Sequence, residues 1–513
     1  MRAPSRTGFA QLARREVLLV LAVVCVSLLY VSRSLLGPTN NAWKPVTVLH
    51  ETGAGAGVDK STISAFRSPD EATRPAAAIP EQETPPPGFL GPDDNEFQDL
   101  VRESEQRSGG GGDESDDIHV IFSQSCDQSS RIIQQTIIQQ TATAVGQKGP
   151  ITQLLSGCTD AQREEVLREP TFYDNFHRYF TRNFMPHPEP GIDDWYMAYN
   201  KPFALREWLR HVRPRNKYVA LIDGDFAFFH RLEINTKRNI SEFYYGARDP
   251  ATVDDVVKDG QALAMNWGMY GGVMWFKEPD KIKGICGEGP TAQPCAHISL
   301  EDAKEYYEDT ASPYILTMAD LDRMIDDYCH FTVLGRKMSD NWVVEMEAYT
   351  FATANHGIKH NKLHNYAISL PPWRDVDDEY WRHVDVIPDH QNPCDPATGV
   401  LRPGPELPPL YFFHWFHRYG RERYSFYKRD LPKGFAKCDG PLLKLPPMGE
   451  WNEANANTDA RSRRNERRYV WAECSITKLV NEAALAFRKA TCPNGYSTKA
   501  EYVLTKAPSL LVV

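Results

Sequence analysis

The sequence has no surplus of positive charge. Its 58 lysines and arginines are outnumbered by 68 aspartates and glutamates, giving a formal net charge of −10 over 513 residues. Nucleic-acid binding needs a basic footprint, so that class of partner is excluded. No C-x-x-C pair suited to structural zinc occurs, and no internal repeat of the kind that builds solenoids. Large apolar residues are few between Gly37 and Asp117, which instead holds Pro85-Pro86-Pro87 and the run Gly109 to Gly112. Such a stretch cannot bury enough surface to offset the entropy of ordering, so it is expected to be a disordered stem. Its 16 acids and 6 bases suit a solvated spacer.

Ahead of the stem, Val17 to Tyr30 is almost wholly apolar, and Val31 to Leu36 extends it past Ser32, Arg33 and Ser34. That is close to the lower length for a spanning helix, about 17–20 residues. Arg2, Arg6, Arg14 and Arg15 precede it and favour a cytoplasmic N-terminus. A small-x-small cleavage site is missing before Gly37, which favours an uncleaved signal anchor over a removed signal peptide. The expected plan is a cytoplasmic tail over 1–16, an anchor over 17–36, a stem over 37–117, a folded domain over 118–500 and a tail over 501–513.

Within the folded region, Ile118 to Phe122 is a strand candidate ending in Ser123-Gln124-Ser125-Cys126. Ser129 to Val145 carries Ile133, Ile137 and Ala144 at near-helical spacing and stops before Gly146, a candidate C′ glycine. Ile151 to Leu155 is the next strand. Strand, helix and strand in quick succession predict βαβ units and a parallel sheet, hence an α/β domain.

The most informative stretch is Lys217 to Phe229. Tyr218 to Ile222 has the length and apolarity of a strand buried on both faces. It runs into Asp223-Gly224-Asp225, followed by the apolar run Phe226 to Phe229. Two acids at the end of a buried strand need a cation, because an unpaired carboxylate is costly to desolvate. A hard divalent ion on oxygen ligands is the simplest one, and Gly224 lets a ligand approach closely. The alternative is a solvated turn. Upstream, Asn200-Lys201-Pro202 opens an amphipathic stretch, Phe203 to Leu209. Lys201 is either a point charge for a phosphate or a solvated lysine on a capped surface helix.

Five stretches resemble the plant and algal peptidyl O-glycosyltransferases, that is, peptidyl serine α-galactosyltransferase and hydroxyproline O-arabinosyltransferase. They are Ile118 to Cys126, Gly149 to Ser156, Asp194-Trp195-Tyr196 with Asn200-Lys201-Pro202, Leu221 to Asp225, and Trp342 to Tyr349 with Phe351-Ala352 and Gly357 to His360. Gly149 to Asp160 and the Glu473-Cys474 region look closer to the serine galactosyltransferase branch. Three positions depart from the family's pattern. Gln128-Ser129-Ser130 replaces a Trp-Gln pair, Met346-Glu347-Ala348-Tyr349 replaces Met-Tyr-Gly-Tyr, and His414-Trp415 replaces His-Tyr.

The resemblance implies a GT-A-like nucleotide-sugar-binding domain on a single-pass type II anchor in the Golgi or ER membrane. It implies a UDP-sugar donor, Mn²⁺ or another divalent cation, and a serine or hydroxyproline hydroxyl of a secretory protein as acceptor. Asp223 and Asp225 would then hold the metal, with His414 completing the site and His417 as fallback. Asn200, Lys201 and Gly224 would line the donor site. Glu345, with Asp340 and Glu347 beside it, is the candidate catalytic carboxylate; the alternative for Glu345 is a buried acid paired with lysine or arginine. A haloacid-type phosphatase also places D-x-D after a strand, but Phe226 stands where it usually has Thr, Val or Gly. A catalytically inactive sugar-binding or scaffolding protein of the Golgi is the reading from another class.

Nine cysteines follow the anchor, and an oxidising compartment permits disulfides while an odd number leaves one thiol over. Cys286 with Cys295, and Cys474 with Cys492, are near enough in sequence to pair, although sequence does not fix connectivity. Asn239-Ile240-Ser241 is a glycosylation sequon. The charge pattern predicts that protease added outside sealed microsomes spares everything after about Leu36. Digestion of the C-terminal portion without detergent would show the opposite orientation.

Overall fold

A computed structural model of the protein describes residues 115–187, 192–244, 246–267, 275–369, 371, 381–404, 407–421 and 424–503. The expected anchor and all but the last three residues of the expected stem lie outside the described residues. Among the described residues no helix is long and apolar enough to cross a membrane.

The chain builds a mixed α/β fold on a sheet of seven strands. In chain order these are β1 (Ser115–Ser125), β2 (Ile151–Ser156), β3 (Phe176–Thr181), β4 (Asn216–Ile222), β6 (Gln261–Asn266), β7 (Thr310–Thr317) and β8 (Lys359–Leu363), after a small strand β5 (Phe226–Phe228) that belongs elsewhere. Their spatial order is β3-β2-β1-β4-β7-β6-β8. Neighbours from β3 to β4 run parallel. The strand β7 is antiparallel to both β4 and β6, and β6 and β8 are again parallel. The helices of seven residues or more are α1 (Arg131–Val145), α2 (Asp160–Arg168), α3 (Asn200–Val212), α4 (Pro279–Cys286), α5 (Leu300–Tyr306), α6 (Met318–Met338), α7 (Val344–Asn355), α8 (Gly449–Ala456) and α9 (Ala460–Thr491).

The alternation along β4 shows how both sheet faces are covered. Val219 and Leu221 enter the core formed with Phe203, Trp208 and Tyr349. Tyr218, Ala220 and Ile222 enter the core with Val120, Ile138 and Phe228. Period-two alternation with both sets apolar is the mark of a strand between two helical layers. A third core gathers around α9, where Trp471 packs on Phe229 and Phe413 in a cluster that also holds Ile133, Ile137 and Trp415.

A second, three-stranded sheet joins two of these cores. Its strands are β5, β9 (Ala367–Ile368) and β10 (Phe412–His414), with β10 central. Phe412 faces the core containing Phe228, whereas Phe413 faces the α9 core. Two further ribbons complete the fold, β11 (Tyr419–Arg421) with β12 (Tyr424–Phe426), and β13 (Leu442–Leu443) with β14 (Ala500–Tyr502).

Several boundaries shift from expectation for simple reasons. The strand β1 starts at Ser115, because Ser115 pairs with Asn216 and the Asn216 amide donates to the Asp117 carbonyl at 3.1 Å. The expected C-terminal boundary at 500 cuts through β14, which extends to Tyr502 on β13. The helix α1 begins at Arg131 and ends, as expected, at Gly146, whose φ of 66° is a left-handed conformation that favours glycine. Asn200-Lys201-Pro202 forms the first turn of α3 instead of preceding it, with Pro202 where its missing N–H costs nothing.

The disulfides are Cys126–Cys158, Cys286–Cys295, Cys394–Cys474 and Cys438–Cys492, leaving Cys329 as a buried thiol. Cys286–Cys295 matches the expectation; the pairing of Cys474 with Cys492 does not form. Cys474 lies within α9 and Cys492 just past its end. Eighteen residues of helix separate them by about 27 Å, far beyond disulfide reach. Replacing Cys394 and Cys474 together by alanine should lower unfolding stability by about 2–4 kcal/mol, the usual yield of a long-loop cross-link. Denaturant unfolding of both proteins measures the difference, and non-reducing peptide mapping checks the connectivity.

Candidate functional site

Asp223 follows the last residue of β4 directly, at the carboxyl end of the parallel strands where open α/β sheets bind ligands. The chain then turns through Gly224 and Asp225 into β5. A Cβ on Gly224 would lie 2.9 Å from the Gln124 side-chain nitrogen. That close approach, rather than an unusual dihedral angle, is why glycine stands here. Gln124 is itself held in a chain of amides. Gln153 donates to it at 2.7 Å, and it donates to Gln134 at 2.6 Å, as Gln128 also does at 2.6 Å.

The β5–β10 pairing brings the histidine to the acids. Phe226 faces His414 in antiparallel register, and the Trp415 N–H donates to the Asp225 carbonyl at 3.0 Å. The imidazole stacks on Phe226 with ring centroids 4.2 Å apart. Its Nε2 lies 3.2 Å from Asp225 Oδ1 and 3.8 Å from Asp223 Oδ2. His417 is half-buried, and desolvation together with nearby His414 and Lys428 lowers its pKa to about 3. The contacts to the two acids come from His414.

Two lysines close the acid pair. Lys201, from the first turn of α3, lies 2.9 Å from Asp223 Oδ1 and 3.3 Å from Glu345 Oε1. Its ammonium also sits 5.7 Å from the centre of the Tyr314 ring. Burial opposes its charge, but Asp223 and Glu345 outweigh burial and hold its pKa well above the ordinary lysine value. The solvated-lysine alternative is therefore overturned. Lys428, in a single 3₁₀ turn after β12, is ion-paired with Asp225 Oδ2. Burial would raise the Asp225 pKa, yet Lys428 and His414 prevail and hold the carboxyl well below the usual range.

Glu345 enters from the start of α7 and is only 5 % exposed. The Tyr328 hydroxyl donates to its Oε1, and its backbone N–H donates to the Tyr196 hydroxyl at 3.0 Å. Glu345 is thus a buried acid paired with a lysine, and that lysine is the one on Asp223. Burial raises its pKa from the ordinary 4.5 to about 6, against the pull of Lys201.

The other expected residues fall outside this cluster. Asp340 is exposed in the loop between α6 and α7 and joins none of these contacts. Glu347 is buried, with Oε2 unpartnered, and burial together with Glu278 and Glu308 raises its pKa well above the carboxylate norm. Asn200 uses its side-chain amide structurally. Its oxygen accepts from the Phe184 N–H at 2.8 Å, while its nitrogen donates to Asn183 at 3.2 Å and Ser125 at 3.3 Å. Sequence reasoning missed Lys428, Tyr196, Tyr328 and Gln124. Lys428 carries no local signal, since it stands in an ordinary charged run, Lys428-Arg429-Asp430.

The donor set of two carboxylates and one neutral-capable imidazole suits a hard to borderline cation such as Mn²⁺. Among the described residues, however, no group of three or more His, Cys, Asp or Glu side chains is arranged to hold an ion. Ammonium groups lie on one oxygen of each aspartate. The side chains thus match such an ion in kind alone.

No protein-family model matches the chain. Among curated proteins it is similar to a peptidyl serine alpha-galactosyltransferase of Arabidopsis thaliana, 36% identical over 109 residues, or 21% of this chain and 12% of that protein. It is 25% identical over 227 residues to the hydroxyproline O-arabinosyltransferase PLENTY of Lotus japonicus, 44% of this chain and 50% of the relative. Hydroxyproline O-arabinosyltransferase 3 of Arabidopsis thaliana is 22% identical over 241 residues, 46% of this chain and 54% of the relative. The chain spans about half the length of these arabinosyltransferases and a small part of the galactosyltransferase. Its curated homologues are thus plant peptidyl glycosyltransferases.

The Glu345 pKa gives a pH test. An acid whose pKa rises on folding binds its proton more tightly in the folded chain. Its stabilising contribution is present at low pH and fades as pH rises from 4.5 to about 6. The advantage in melting temperature of the natural protein over Glu345→Gln should therefore be larger near the bottom of that window than above it. A gap that widens with pH would show that the Lys201 attraction exceeds the burial penalty.

Proposed function

We propose that the chain is a metal-dependent glycosyltransferase with a GT-A-like domain that moves a sugar from a UDP-sugar to a serine hydroxyl of secretory proteins. The observation that carries this reading is the convergence of Asp223, Asp225 and His414 at the carboxyl end of β4, with Lys201 tying Asp223 to Glu345. The plant peptidyl glycosyltransferase homologues support the reaction class. The proposed setting is a type II anchor in the Golgi or ER membrane with the catalytic domain in the lumen.

In this mechanism Asp223, Asp225 and His414 would hold Mn²⁺ or another divalent cation. Such an ion supplies charge neutralisation for the diphosphate leaving group. The protein's own residues do the remaining work. Gly224 leaves room for the Gln124 side chain, whose amide chain fixes the turn between the two acids. Lys201 is anchored by two carboxylates and presents a fixed positive charge beside the acid pair. Glu345 orients Lys201 and is itself fixed by Tyr328, so the cluster is organised before a donor arrives.

Hydroxyproline arabinosylation is the second reading, favoured by the longer alignments to the arabinosyltransferases. A sugar-binding protein without turnover is the reading from another class. One experiment separates all three: mass spectrometry of serine- and hydroxyproline-containing peptides incubated with a panel of UDP-sugars and Mn²⁺. Hexose on serine is the expected product, and pentose on hydroxyproline selects the second reading. If neither peptide transfer nor UDP-sugar hydrolysis occurs, the enzyme reading fails. Asp225→Asn should lower turnover by at least about 10²-fold, as loss of a positioned charge in a catalytic site typically does. Unchanged turnover in that variant would remove the acid pair from the reaction.

A further inference from the structure

We propose that a basic groove at the amino end of β4 holds an acidic segment of this same chain, residues 93–107, and so fastens the stem to the domain away from the candidate site. The inference is independent of the reaction proposed above.

The groove lies between the loop after α3 and the start of α6 and has a volume of about 750 Å³. Its lining carries Arg210, Arg213 and Arg215 against a single acid, Asp322. Arg210 is engaged with Asp326 at 2.6 Å. Arg213 and Arg215 are exposed, and neither side chain makes a hydrogen bond or ion pair among the described residues. Arg213 also has a φ of 50°, the left-handed position after a helix that favours glycine, so a guanidinium is kept there at a backbone cost. Leu209, Pro214 and Met318 add apolar surface to the lining. Neighbouring cations without acids of their own attract an anionic partner.

The chain supplies one at this place. The strand β1 begins at Ser115, which pairs with Asn216, itself part of the groove lining. The stem therefore joins the domain at the groove. Just before the run Gly109 to Gly112, residues 93–107 hold six acids, Asp93, Asp94, Glu96, Asp99, Glu103 and Glu105, and two bases, Arg102 and Arg107, a balance of −4 (2 − 6). Phe97, Leu100 and Val101 recur among them at the i, i+3, i+4 spacing of an apolar helix face, a counterpart to Leu209, Pro214 and Met318. The glycine-rich link 108–114 has a reach of about 15 Å, enough to return the segment to a groove that borders the end of the link. So short a tether raises the local concentration of the segment to the order of millimolar, and weak exposed ion pairs then suffice to hold it. Asp223 follows the opposite, carboxyl end of β4, so a docked stem leaves the candidate site open.

The test follows hydrogen–deuterium exchange on the full-length protein in detergent, with residues 51–66 as an internal reference. In the natural chain residues 93–107 should exchange at least about tenfold more slowly than the reference, after correction for sequence. Salt at about 1 M, where the Debye length is about 3 Å, should remove the difference. Arg213→Glu with Arg215→Glu should bring residues 93–107 to the reference rate. Asp99→Lys with Glu103→Lys should do the same without altering the domain, and all four changes together should restore protection. Exchange of β1 and β4 checks the fold; where the arginine variant fails that check, the stem variant decides alone. Exchange of residues 93–107 at the reference rate in the natural chain overturns the proposal, as does protection that charge reversal leaves in place or that the four changes do not restore. Protection that falls on dilution places the stem of a second copy in the groove. Slower exchange of residues 213–216 on adding inorganic phosphate, with residues 93–107 unprotected, gives the groove to an external anion. Either result also overturns the proposal.

Discussion

The structure depends on balancing charge at the end of one buried strand. Three carboxylates, Asp223, Asp225 and Glu345, converge with two ammonium groups and one imidazole. The two aspartates share the turn after β4, and the other contributors come from four further elements: the first turns of α3 and α7, the end of β10 and the turn after β12. Asp225 and Glu345 are buried charges, and each needs its partner. The site therefore cross-links the fold as much as it depends on it.

The geometry follows from two packing arrangements. On one side, the apolar face of α3 against β1, β2 and β3 sets where Lys201 emerges, and the core around Tyr349 and Phe351 sets where α7 presents Glu345. On the other, the three-stranded sheet with β10 at its centre sets the Phe226–His414 register. A slip of one residue in β10 would point His414 into the α9 core and Phe413 at the acids, since side chains alternate along a strand. The burial of Phe413 and Trp415 beside Trp471 fixes the register against that slip.

Much of the sheet was legible in the sequence because its signals are local. The apolar runs of β1, β2 and β4 and the glycine after α1 are each complete within a few residues. The acid pair was legible for the same reason: two aspartates at the end of such a run demand a cation. What answers that demand was only partly visible. Lys201 stood out beside Asn200 and Pro202, but its burial between two acids arises from tertiary packing. Lys428 is 203 residues from Asp225, and nothing local to it marks the pairing. Asp340 and Glu347 show the converse limit, since proximity to Glu345 in sequence gave no information about which side of the loop or helix each would face. The disulfides repeat the point: Cys286 and Cys295 are joined by a short loop and meet, whereas the rigid α9 keeps Cys474 from Cys492.

The order of these charges along the chain has a consequence for biosynthesis. Lys201 precedes Asp223, so the first acid leaves the ribosome with its counter-charge already made. Asp225 does not. Lys428 follows it by 203 residues, a delay of roughly 10–40 s at ordinary elongation rates of about 5–20 residues/s. During that interval the β4 strand and its turn exist without the wall that His414 and Lys428 provide, and Asp225 must remain hydrated. Desolvation of the acid pair is thus a late event of synthesis, reserved for a chain whose C-terminal third has arrived.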